Sequence, residues 1–251
     1  MGIVKKVIFF GLLIGLWKLL FLMGIWPEYV LPSPFSVYRT LIHGFGNKTF
    51  LIGIAISMER IAIGYGIAII IGILLGLLIG RIRIFEETLG SLIAGLQTLP
   101  TICWLPLALL WFGINDRAII FLVAMGAVLS ITIATESGVK NVPPLYVRAA
   151  KTMGAKGWKL YKEVIFPAAL PHIITGMKQG WAYAWRSLLA AELLIVSLGL
   201  GHLLMIGREL NDMSRVIAVM IVLLVIGILV DRLFFIKVEK LIRERWGLAK
   251  A

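Results

Sequence analysis

Hydrophobic residues run along this chain in long unbroken blocks, and short polar or charged stretches divide them. Wound as a helix, a block of about 20 apolar residues matches the hydrocarbon thickness of a bilayer. The pattern predicts six such helices, over residues 7–25, 51–80, 89–112, 118–138, 173–198 and 216–236, with no strand alternation between them. The first block exits through Met23-Gly24-Ile25-Trp26-Pro27, which offers no small-residue cleavage site, so it reads as a spanning helix and not a removable leader. Residues 31–45 mix Pro and Ser with apolar positions and read as an exterior segment holding a short surface helix. Residues 113–117 read as a tight exterior turn, and residues 199–215 as a further exterior segment.

Two of the blocks carry internal marks. In the second, Gly64, Ala68, Gly72, Gly76 and Gly80 recur every four residues, a ridge of small side chains that lets another helix approach closely. In the third, Pro100 and Pro106 are expected to break the helix. Backbone freed within a membrane must be satisfied by protein or water, which makes Gln97, Thr98 and Thr101 beside Pro100 candidates to line a cavity. An ordinary kinked packing helix would carry the same prolines.

Residues 147–171, VRAAKTMGAKGWKLYKEVIFPAALP, cannot be a span. They hold Arg148, Lys151, Lys156, Lys159 and Lys162 against one acid, Glu163, and each cation at bilayer depth would cost several kcal/mol. The segment therefore lies in water. Pro143 and Pro144 suit a helix start, Gly154 and Gly157 a break, and Trp158, Tyr161 and Ile165 a second helix, which Pro167 is expected to end.

Composition agrees with this outline. The chain has 251 residues, 60% hydrophobic and 15% charged, too apolar for a soluble domain. A net charge of +12 could suggest a nucleic-acid partner, but the cations gather at the ends of apolar blocks, where they set topology. Fifteen fall on one side: Lys5, Lys6, Arg81, Arg83, six between residues 140 and 162, and five between 237 and 250. Arg39, Lys48, Arg117, Arg208 and Arg215 fall on the other. The excess marks the cytoplasmic side and places both termini there. A single cysteine, Cys103, excludes an intrachain disulfide. The chain lacks a GxxxxGK[ST] loop, an HExxH helix and a GxSxG elbow, and its three histidines, His43, His172 and His202, are too scattered to suggest a metal site.

The candidate chemistry lies inside the blocks. Glu192 sits in the middle of the fifth, and Arg60 and Arg186 are the cations it could meet. Such a pair could fix helix packing or serve a pathway. Gln179, Tyr183 and Ser187 lie four residues apart, one polar stripe that suits either a pathway or interhelical hydrogen bonds.

The cytoplasmic segment resembles the signature of binding-protein-dependent ABC importer permeases. That signature reads Glu-Ala-Ala, three residues, Gly, nine residues, Ile, one residue, Leu-Pro. Here Arg148-Ala149-Ala150, Gly154, Val164, Phe166 and Pro167 keep the spacing, with Arg148 replacing Glu, Val164 replacing Ile and Phe166 replacing Leu. Leu31-Pro32-Ser33-Pro34, Ser57 to Arg60, Leu99-Pro100 through Trp111-Phe112-Gly113, and Leu198-Gly199-Leu200-Gly201 are similar to the nitrate, sulfonate, taurine and bicarbonate branch.

The resemblance implies a type I importer permease fold, one transmembrane domain over residues 1–251, and an ATPase-coupling loop over 140–171. In that loop Arg148, Ala149, Ala150, Gly154, Ala155 and Pro167 would meet the ATPase. It also implies a second copy of this chain, two cytoplasmic ATP-binding subunits and an exterior substrate-binding protein. ATP and Mg would be held by the ATPase, with no cofactor and no enzymatic activity in this chain. The solute implied is a small anion. On the residues alone, a self-sufficient secondary transporter or channel is the alternative.

Overall fold

The computed structural model describes residues 2–195 and 197–245, and these are helical almost throughout. The elements are α1 (Gly2–Leu22), α2 (Pro34–Gly46), α3 (Thr49–Arg81), α4 (Arg83–Phe85), α5 (Ser91–Gln97), α6 (Leu105–Phe112) and α7 (Asp116–Lys140). They continue as α8 (Pro144–Thr152), α9 (Gly157–Leu160), α10 (Phe166–Leu194), α11 (Leu200–Glu209), α12 (Met213–Val230) and α13 (Ile236–Arg245). Single π turns at Glu86–Gly90, Tyr161–Ile165 and Asp231–Phe235 join α4 to α5, α9 to α10 and α12 to α13, and a 3-10 turn, Thr101–Trp104, leads into α6. Lys250, counted above among the cytoplasmic cations, and Val196 lie outside the described residues.

Among the described residues, Thr49–Arg81, Asp116–Lys140 and Met213–Ile242 are long and apolar enough to cross a membrane. Arg83–Gln97 and Thr101–Phe112 form a fourth passage if the two are taken together, bent by 105°. At 21 and 29 residues, α1 and α10 have the length to cross as well, but α1 carries Lys5, Lys6 and Lys18, and α10 carries Lys178, Arg186 and Glu192.

The helix boundaries correct several expectations. The third block breaks at Pro100 alone, because Pro106 falls in the first turn of α6, where a missing N–H leaves no rung unmade. Pro167 does not end a helix. It occupies the first turn of α10, and the π turn at Tyr161–Ile165 carries the chain from α9 into α10 with Phe166 still helical (φ −60°, ψ −48°). The last passage likewise continues through a π turn into α13, past the end expected at residue 236.

The chain divides into two compact units, residues 1–57 with 196–226, and residues 58–195 with 227–251. In the first, Ser33 caps α2 by accepting the Ser36 N–H at 3.1 Å, with Pro34 in the first turn. Trp17 donates to the Pro32 carbonyl at 3.0 Å, and Ser57 Oγ accepts the Leu200 N–H at 2.9 Å. This last bond satisfies one of the N–H groups that the start of α11 leaves without a helical partner.

In the second unit α7 packs against both α3 and α10. The glycines explain how. A Cβ on Gly64 would meet Val123, on Gly72 Ile131, on Gly76 Thr135, and on Gly80 Val139. Partner numbers rise together, so α3 and α7 run parallel with their backbones in close approach. On the other side Gly138 meets His172, Gly176 meets Ala134, Gly180 meets Ile131 and Gly126 meets Ser187, an antiparallel pairing. Lipid is as apolar as leucine, so this close fit, and not water exclusion, holds the three helices together.

Candidate functional site

Opposite the turn at Pro100, α7 and α10 leave a cavity of ≈ 440 Å³. Gln97, Thr98 and Thr101 from the broken passage, Ser130 from α7, and Tyr183 and Arg186 from α10 supply its polar lining. A second cavity of ≈ 340 Å³ shares Gln97 and Ser130 with the first and adds Ser137, His172, Thr175 and Gln179. Gln97 and Ser130 therefore stand where the two meet. A proline break lined by water-accessible polar groups is how a membrane protein accommodates freed backbone.

The residues singled out from the sequence divide between these cavities. Gln97, Thr101, Tyr183 and Ser187 line the first, and Gln179 lines the second together with Gln97. Ser187 is nearly buried, and its hydroxyl donates to the Tyr183 carbonyl at 2.9 Å. Ser130, His172 and Thr175 were not anticipated. The signal was present in part, since His172 and Thr175 continue the stripe of Gln179 and Tyr183 towards the start of α10 at helical spacing.

Of the two cations that Glu192 could meet, the structure pairs it with Arg60. Arg60 Nη1 donates to Glu192 Oε1 at 2.8 Å, and Nη2 reaches Asp116 Oδ1 at 2.8 Å. Arg60 and Glu192 are buried, whereas the Asp116 side chain is 62% exposed. Arg186 takes no part. Six residues separate it from Glu192, about 120° around the helix, which turns it to the cavity instead. Its guanidinium lies 5.5 Å from the centre of the Tyr183 ring. The other cation of α10, Lys178, meets Asp231 at 2.7 Å.

At the basic segment, α8 ends in a Schellman turn. Ala155 N–H bonds to the Ala150 carbonyl at 2.9 Å and Gly154 N–H to the Lys151 carbonyl at 3.0 Å, with Gly154 at φ +88°. Ala150 and Ala155, the third residue before and the second after the cap, are buried together with Leu160 and Ile165. Arg148, Ala149 and Gly154 face outward, as do the large apolar side chains of Leu145, Tyr146, Met153 and Trp158. Pro167 lies apart from this surface, in the first turn of α10. The Arg81 guanidinium, at the end of α3, lies 4.2 Å from the centre of the Tyr161 ring. Burial raises the Tyr161 phenol above its ordinary value against the opposing field of Arg81.

Known proteins fit this geometry. The family model described as "Binding-protein-dependent transport system inner membrane component" matches residues 68–242. A putative ABC transporter permease of Methanocaldococcus jannaschii is 37% identical over 92% of this chain and 88% of its own length. A putative aliphatic sulfonates transport permease, SsuC of Bacillus subtilis, is 29% identical over 97% of this chain and 88% of its own. The nitrate import permease NrtB of Synechocystis is 31% identical over 80% and 77%. In fold, the chain resembles one from the inward-facing MetNI methionine ABC transporter, with a TM-score of 0.67 and 16% identity over 77% of this chain and 96% of that one. The match excludes the secondary-carrier alternative and implies ATPase and substrate-binding partners. This chain belongs to the family of inner membrane components of binding-protein-dependent transport systems, the permease subunits of ABC importers.

Proposed function

We propose that two copies of this chain form the pathway of an importer for a small oxyanion, delivered from the exterior by a binding protein and driven by two cytoplasmic ATPase subunits. ATP and Mg are held by those subunits. Both termini and residues 140–171 face the cytoplasm, in keeping with the fifteen-to-five bias of cations. Relatives named for nitrate and for aliphatic sulfonates support the solute class.

The observation that carries the coupling role is the exposed apolar surface of α8 and α9. Met153 and Trp158 are 87% and 74% exposed in a segment whose cations keep it in water, and Gly154 holds the turn between them. Apolar side chains presented to water in this way mark a protein partner.

Met153→Glu with Trp158→Ala, introduced together, should leave membrane insertion and yield unchanged while abolishing co-purification of the ATPase. ATP-coupled nitrate uptake at the parent rate by that variant would overturn the assignment.

A further inference from the structure

Resting on the reading of the chain as an oxyanion importer, we propose that Arg186 is the anion-binding residue of the pathway, selecting solutes that bear two or more oxygens on one charged centre. Four observations converge on it.

The first is what the other charges do. Glu192 is the single acid of α10, and it is held by Arg60 at 2.8 Å. Lys178, the second cation of α10, is held by Asp231. Arg186 is thus the charged group of this helix that is not matched by a carboxylate on the described residues of the same unit.

The second is where it points. Arg186 lines the ≈ 440 Å³ cavity, and no carboxylate lines either this cavity or its ≈ 340 Å³ neighbour among the described residues. A permanent cation in an acid-free cavity within a membrane sets a positive potential there. Such a potential concentrates anions and repels cations.

The third is what stands beside it. The Tyr183 ring is 5.5 Å away and 42% exposed, and Gln97 and Thr101 present an amide and a hydroxyl to the same space. These neutral donors can hold further oxygens of a bound anion without neutralising the arginine. The fourth is the side chain itself. A guanidinium presents a planar fork of donors that fits two oxygens of one nitrate, bicarbonate or sulfonate group, which a lysine cannot do.

The test reads the charge in the cavity directly. In a Cys103→Ser background, Leu99→Cys places one thiol in the lining, at a residue with no part in holding the anion. Its modification rates by anionic sulfonatoethyl and cationic trimethylammonioethyl methanethiosulfonate are compared in the complex reconstituted with its ATPase. Arg186→Gln should lower the anionic-to-cationic rate ratio about tenfold and abolish ATP-driven nitrate uptake.

Arg186→Lys, measured in parallel, should keep the rate ratio but raise the KM for nitrate several-fold, because the charge survives and the fork does not. This variant also keeps the proposal testable if Arg186→Gln fails to assemble. An unchanged rate ratio in Arg186→Gln, or an unchanged KM in Arg186→Lys, would overturn the assignment. A parent complex that takes up neither nitrate, bicarbonate nor ethanesulfonate, yet shows the Arg186-dependent ratio, would overturn the solute class and uphold the anion site.

Discussion

Arg60 and Glu192 stand 132 residues apart in the chain and 2.8 Å apart in the fold, both buried, and the same guanidinium reaches Asp116 near the protein surface. The two carboxylates differ in solvation, and their removal should differ accordingly. Glu192→Gln leaves a buried arginine short of its buried counter-charge and is expected to destabilise the permease by about 3–5 kcal/mol. Asp116→Asn removes a solvated partner and should cost under about 1 kcal/mol. Thermal unfolding in detergent separates these outcomes, and Arg60→Gln combined with Glu192→Gln should recover part of the loss.

The glycines of α3 provide a matched pair. A Cβ at Gly76 would sit 2.6 Å from the Thr132 carbonyl oxygen and closer still to the Thr135 Cβ, whereas a Cβ at Gly66 would meet nothing within 4 Å. Gly76→Ala should force α3 from α7 and sharply reduce the yield of folded protein. Gly66→Ala should be neutral or stabilising by up to about 1 kcal/mol through helix propensity. Equal melting temperatures for the two variants would contradict this packing.

At Gly154 the constraint is the backbone. A side chain there has open space around it, but φ +88° is a conformation that L residues resist. Gly154→Val should therefore cost more than Gly154→Asn, by about 1–2 kcal/mol. The readout is protease resistance of the turn after α8.

The Tyr161 ring under Arg81 makes a prediction in pH. Burial raises the phenol, so its neutral form is favoured in the fold. The resulting stability is intact below pH about 10, the ordinary tyrosine value, and is lost as pH rises through the folded value. Tyr161→Phe should keep the cation–ring contact, worth about 0.5–1 kcal/mol at such sites, and remove that alkaline loss. Unfolding curves at pH 8 and pH 11 make the comparison.

Much of this architecture was legible because its causes are local. Apolar blocks, the glycine ridge of α3 and the cation clusters each follow from a period or a count. The fate of Pro167 was not legible, because a π turn upstream lets a proline enter a helix where its preceding residue would ordinarily leave it. Nor was the direction of Arg186. Spacing on α10 shows that residues 186 and 192 face different ways, but only the tertiary fold shows that Arg60 takes the acid and the cavity receives the cation. Ser130 stayed hidden for a similar reason, being one hydroxyl in an apolar block whose significance depends on what lies across from it.

The π turn at Tyr161–Ile165 has a mechanical consequence. Because it joins α9 to α10 with every residue helical, the exposed Trp158 and the charge at Arg186 sit on one continuous helical stretch about 40 Å long. Had Pro167 ended a helix, a swivel would lie between them. Without one, a tilt applied at Trp158 would be passed along the helix towards Arg186. Two points along that stretch can bend, the π turn itself and Pro171, which has no N–H to complete its rung. A rotation imposed at one end of this stretch would reach the other unless it were absorbed at one of those two points.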